Sequence, residues 1–132
     1  MAKPEVFLIR NSDDIVNVRQ VVRKAAISCG FNLVDQTKIV TAASELARNT
    51  VVYGGGGLLQ MEILNTSGRC GVKLVFEDKG PGIPDIEMAL RDGYTSGGGL
   101  GMGLGGARRL SNEFEIQSKV GQGTRIAITK WK

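Results

Sequence analysis

Histidine is absent from the chain. Its absence excludes His-based catalytic triads, most zinc sites and any phosphohistidine relay within this chain. Aromatic residues make up only 5% of the sequence, and the basic residues are scattered. Stacking on nucleic acid therefore has little support, and the net charge of +4 reads as a solvated surface with some phosphate-facing arginines. No apolar run approaches the roughly eighteen residues of a membrane span. The N-terminal MAKPEVFLIR reads as the start of a strand rather than a signal peptide. Cys29 and Cys70 are too few for a disulfide framework, and with no export signal they are expected to be thiols in a reducing cytoplasm. No Gly-Lys-Ser/Thr occurs, so there is no Walker A loop, and no HRD segment marks a eukaryotic-type protein kinase. At 132 residues the chain is expected to form one domain over 1–132.

Glycine, in contrast, is abundant. Residues 97–106 read GGGLGMGLGG and run directly into Ala107-Arg108-Arg109-Leu110. Ordering so many glycines costs several kcal/mol in total, at roughly 0.5–1 kcal/mol each, so a bound ligand is expected to order the segment. Bare backbone amides leading into a helix N-terminus suit phosphate. A flexible linker would carry serine between its glycines rather than leucine and methionine. The same stretch contains a literal GxGxxG, Gly101 to Gly106. It is not a dinucleotide fingerprint, because no strand precedes it and the chain ends in a predicted hairpin.

Hydrophobic periodicity sets the order of elements. Glu5 to Arg10 predicts a strand, followed by a helix capped by Ser12 and stopped near Cys29 and Gly30. A second helix is predicted from Asp35 to Tyr53, with Ile39, Ala43, Leu46 and Thr50 on one face, and Gly54-Gly55-Gly56-Gly57 ends it. Strands at Leu58–Leu64 and Gly71–Asp78 flank a turn at Asn65–Gly68. A short helix is predicted at Asp85–Arg91 and another at Gly106–Asn112. A hairpin then joins Glu113–Val120 to Thr124–Trp131 around Gly121-Gln122-Gly123. Such an order predicts an α/β fold, a two-layer sandwich with a mixed, largely antiparallel sheet covered by helices on one face.

Two motifs carry chemistry. In SELARN, Glu45 and Asn49 lie four apart on one helical face. That face, opposite Ile39 and Leu46, would ordinarily be a solvated Glu–Asn pair. The functional alternative gives Asn49 a magnesium ion through its carbonyl oxygen and makes Glu45 a carboxylate base. In DKGPGI, Asp78 ends a hydrophobic strand, and the glycines after it leave room for a flat ring. A carboxylate there matches the amino group of adenine, whereas the carbonyl of guanine would oppose it at a cost of about 1–3 kcal/mol. The plain alternative is an Asp-Lys-Gly turn in which Asp78 bonds local backbone.

Asparagine helix, DxGxGI, glycine lid and a late Gly-Thr, in that order, resemble the GHKL (Bergerat-fold) ATPase and kinase superfamily of gyrase, Hsp90, histidine kinases and MutL. Glu45 and Asn49 match its N box, and Asp78, Gly80, Gly82 and Ile83 its adenine-binding box. Gly99, Leu100, Gly101, Met102, Gly103 and Leu104 match its lid, and Gly123-Thr124 its final strand motif. The length leaves room for neither a transducer domain nor a phospho-acceptor hairpin. TAASELARN, FEDKGPGIPDI and the lid with its following helix are most similar to the RsbT-type serine/threonine switch kinases of the bacterial stressosome.

That resemblance implies transfer of the γ-phosphate of ATP, with Mg²⁺, to a serine or threonine of STAS-domain antagonist and scaffold proteins (RsbS-like and RsbR-like). It further implies that the released kinase binds and activates a PP2C-type phosphatase (RsbU-like), with no nucleic acid or membrane partner. Glu45 would act as base, Asn49 as magnesium ligand, and Thr124 and the lid as nucleotide contacts. Arg108 or Arg109 would neutralise developing charge, or else pair with Glu113. Tyr53 stands where relatives often carry a basic residue, which leaves phosphate contact from this helix to Arg48 or to the lid. An anti-sigma factor with serine kinase activity is the alternative, and a non-catalytic ATP-binding module is a third reading.

Overall fold

The computed structural model describes residues 4–90 and 103–132. Strand β1 (Glu5–Ile9) leads into helix α1 (Ser12–Ser28), which is followed by helix α2 (Leu33–Val52). Strands β2 (Gly57–Thr66) and β3 (Arg69–Asp78), the short helix α3 (Ile86–Ala89), helix α4 (Gly103–Leu110) and strands β4 (Glu113–Lys119) and β5 (Gly123–Trp131) complete the order. The five strands form one sheet, β1-β2-β3-β5-β4. Every pairing is antiparallel, so the expected mixed character is corrected. The β2–β3 and β4–β5 pairs are short hairpins, while β1–β2 and β3–β5 are joined through long segments carrying helices and are antiparallel as well.

Local chemistry fixes the ends. Asn11, not Ser12, caps α1: its side chain accepts from the backbone N–H of Asp14, and Ser12 is already helical. Gly30 stops the helix in the left-handed region at φ 83°. Its N–H bonds to the carbonyl of Ile27 and that of Phe31 to Ala26, the paired closure in which glycine carries no Cβ penalty. Asn32 caps α2 through the N–H of Asp35. The β2–β3 turn needs only Ser67 (φ 51°) and Gly68 (φ 79°), the conformation that matches strand twist, so both strands run further than the predicted four-residue turn allowed.

The core lies between the helices and one face of the sheet. Ile9, Leu59, Val72, Leu74 and Ile128 from the sheet meet Val18, Val22, Ile39 and Leu46 from the helices, all at most 1% exposed. Helix α2 is flanked by α1 on one side and α4 on the other, so an unusually wide arc of it is buried. Cys29, just after α1, is joined to Cys70 in β3 by a disulfide, with Cα atoms 5.5 Å apart. The expectation of two free thiols is thereby corrected: their 41-residue separation hid a contact made only when helix layer and sheet pack.

Candidate nucleotide site

The burial of α2 brings Glu45 out of solvent. Its side chain is 7% exposed, so the solvated Glu–Asn pair is not what forms. Glu45 and Asn49 both line a cavity of about 340 Å³. Apolar walls come from Leu46, Phe76, Ile126 and Leu104, and Met88 and Ala89 of α3 close one side. Asp78, Gly82, Ile83 and Thr124 line it from the end of β3, the following loop and the start of β5. An apolar slot with a few convergent polar groups is the usual form of a small-molecule site.

Glycines let the end of α2 and the loop after β3 meet at its floor. A Cβ on Gly54 would stand 2.5 Å from the Asp78 carboxyl carbon, and one on Gly80 only 2.7 Å from the Gly54 Cα. Gly80 thus closes the floor from beneath and is not among the lining residues. The Asp78 carboxylate is half-buried, and its Oδ1 accepts from the Gly80 N–H at 2.9 Å. The local turn reading of DKGPGI therefore forms through one oxygen, and the residue also lines the cavity. Ser118, which the sequence pattern did not single out, fixes the opposite rim. Its hydroxyl accepts from the Ile83 N–H at 2.8 Å and lies 2.7 Å from the Thr124 hydroxyl. The Gly121 N–H donates to the Pro81 carbonyl, which docks the β4–β5 hairpin against the same loop.

Of the predicted lid, Gly99, Leu100, Gly101 and Met102 lie outside the described residues. Gly103 opens α4, and Leu104 reaches the cavity. Helix α4 starts three residues earlier than predicted. Leu104, Gly105, Gly106 and Ala107 are all buried, and packing against α2 outweighs the poor helix propensity of glycine. Arg108 is exposed in the last turn of α4 and does not line the cavity, so the structure does not bring it to the other site residues. Glu113, its alternative partner, accepts from the Trp131 indole N–H at 2.6 Å. Arg48 leans on Glu45, with Nε 3.7 Å from Oε2.

The donor set suits a nucleotide with magnesium. Asn49 offers a hard carbonyl oxygen, and Glu45 Oε1 is a buried acceptor with no hydrogen-bond partner among the described residues. Magnesium keeps waters and phosphate oxygens and takes only one or two protein ligands. No cluster of three acidic, cysteine or histidine side chains forms among the described residues, so the phosphates would have to supply part of the shell.

Comparison with known proteins agrees with this geometry. Residues 34–132 match the family described as histidine kinase-, DNA gyrase B-, and HSP90-like ATPase. The serine/threonine-protein kinase RsbT of Bacillus subtilis is 48% identical over 118 residues, 89% of each chain. The anti-sigma F factor of Geobacillus stearothermophilus is 31% identical over 101 residues, 71% of this chain and 68% of that one. Among solved structures, the mycobacterial sensor histidine kinase MprB superposes with a TM-score of 0.56 at 15% identity, covering 97% of both chains. That likeness concerns the fold alone. With the asparagine helix, the Asp78 floor and the α4 wall around one cavity, the chain belongs to the histidine kinase-, DNA gyrase B-, and HSP90-like ATPase family, alongside the serine/threonine-protein kinase RsbT.

Proposed function

We propose that the chain, as one kinase domain over 1–132, is the serine/threonine kinase of a partner-switching stress-response module, using ATP with Mg²⁺. The observation that carries this reading is the convergence of Glu45, Asn49 and Asp78 on one cavity. Asp78 accepts the amino group of adenine and selects it over guanine. Asn49 would hold the magnesium ion, which would supply neutralisation of phosphate charge when bound. By the family resemblance, amides of the lid segment Gly99 to Gly103 would bind the phosphates. Glu45 accepts the proton of the attacking hydroxyl. Phosphoryl transfer is mainly positioning and charge neutralisation, so this short set of groups is sufficient.

The acceptor is a serine or threonine on a STAS-domain partner, of the RsbS-like or RsbR-like kind. Phosphorylation adds a charge near −2, and at the centre of a docking surface that charge expels the kinase. The freed kinase then binds and activates a PP2C-type phosphatase of the RsbU-like kind, in the cytoplasm. The resemblance to RsbT at 48% identity supports these partners. The direct test is Asn49→Ala. Phosphotransfer to the STAS protein should be lost while binding to it persists, and full transfer by the variant would refute the magnesium assignment.

The anti-sigma F relatives favour a second reading, in which the chain binds a sigma factor directly. Co-purification with a sigma subunit, together with no effect on a PP2C-type phosphatase, would select it.

A further inference from the structure

Buried ion pairs that stabilise are close and saturated, with N–O distances of roughly 2.7–2.9 Å. The Glu45–Arg48 pair is neither. Nε of Arg48 stands 3.7 Å from Oε2 of Glu45, beyond hydrogen-bonding reach. Both Arg48 Nε and Glu45 Oε1 are buried with no hydrogen-bond partner among the described residues. Leaving such groups unsatisfied is costly, and a mere surface pair would not need burial. Glu45 lines the cavity and Arg48 does not, so the guanidinium sits behind the carboxylate. Oε2 is the oxygen nearer the guanidinium, and Oε1 is buried without a hydrogen-bond partner among the described residues.

We propose that Arg48 is a positioning residue for phosphoryl transfer: its charge beside Oε2 orients the Glu45 carboxylate to receive the proton of the incoming hydroxyl. The inference rests on the reading of Glu45 as the base. In the step, the hydroxyl oxygen forms a bond to the γ-phosphorus while the bond from that phosphorus to the bridging β–γ oxygen breaks. ADP leaves with the bonding pair, and the hydroxyl proton passes to the Glu45 carboxylate. Arg48 touches neither nucleotide nor acceptor; its effect passes through Glu45.

The test is a double-mutant cycle on phosphotransfer from ATP to the STAS protein, with kcat and KM for ATP read separately. Glu45→Gln should lower kcat by about 10²-fold or more, the usual contribution of a general base. Arg48→Met should lower kcat by about 10-fold or more and leave KM for ATP within about twofold, because the lost interaction acts at the chemical step. Arg48→Lys should recover part of that loss. In the Glu45→Gln background, Arg48→Met should cost nothing further, since coupled residues are non-additive. An equal loss in both backgrounds, or a raised KM with unchanged kcat, would overturn the positioning role and place Arg48 on the phosphates instead. Wild-type kcat in Glu45→Gln would overturn the base reading itself, and normal kcat in Arg48→Met beside a slow Glu45→Gln would overturn only the inference on Arg48. Should Arg48→Met fail to fold, the same cycle with Arg48→Lys decides: its deficit in kcat should vanish in the Glu45→Gln background, and persistence of the deficit would overturn the proposal.

Discussion

Under the proposed function, base selectivity falls to Asp78, whose two carboxylate oxygens have different surroundings. Oδ1 is occupied by the Gly80 N–H, which fixes the carboxylate plane and leaves Oδ2 above Gly54 for a ligand donor. Asp78→Asn keeps the size but can present an amide N–H where only an acceptor stood. ATP affinity should fall by about 10-fold or more, in line with the 1–3 kcal/mol of an unsatisfied buried polar group. Competitive nucleotide binding should show the preference for ATP over GTP narrowing. As residues that line the cavity, Glu45, Asn49 and Asp78 are legible from spacing within single motifs, and Gly82, Ile83 and Thr124 through the family resemblance. Ser118 was not: a serine within an alternating strand looks ordinary, and only the approach of the DKGPGI loop to the β4–β5 hairpin gives its hydroxyl three partners. Arg108 was expected at the phosphates from its closeness to the lid in sequence, but the last turn of α4 carries it to the surface.

At the scale of elements, each helix and strand among the described residues has its counterpart in the sequence reading, and the errors lie at the ends. Strand β2 gains Asn65 and Thr66 because ladder bonds to Cys70 and Arg69 outweigh their turn propensity. The start of α1 was misplaced by one residue because Asn11 and Ser12 are both good caps, and the choice between them is made by the chain entering from β1. That entry is fastened by Asp14. The Arg10 backbone N–H, 2.8 Å away, and then its guanidinium, 3.2 Å away, hold the Asp14 carboxyl below its ordinary value of 3.8. A lowered carboxyl pKa stabilises the fold above the unfolded value, and the contribution is lost as pH falls through the folded one. Asp14→Asn should therefore lower the thermal midpoint at neutral pH. The gap between wild type and variant should close as pH drops below 3.8, which melting curves across pH would register.

For the whole molecule, the layer packing that no periodicity specifies creates both the site and its brace. Pressing α4 onto the far flank of α2 buries Glu45, and seating α1 on the sheet brings Cys29 to Cys70. The bridge closes a loop containing all of α2 and β2, a separation of 41 residues. By loop entropy such a crosslink contributes up to about 4 kcal/mol. Cys70→Ser should lower unfolding free energy by up to that amount under oxidising conditions and by much less in reductant, where the wild type has lost the bridge as well. Thiol titration of the denatured, unreduced wild type should find neither cysteine reactive.

The proposed function requires the cavity between α2, β3 and the β4–β5 hairpin to be an adenine-nucleotide site. The most direct measurement is thermal and denaturant stability with ATP–Mg²⁺ and GTP–Mg²⁺ titrated separately. A nucleotide that binds only the folded chain adds about 2.7 kcal/mol at 100 times its dissociation constant. Stabilisation of that order by ATP, with little from GTP at the same concentration, is the predicted result. Equal stabilisation by both nucleotides would contradict the role of Asp78, and no stabilisation by either would contradict the site as a whole.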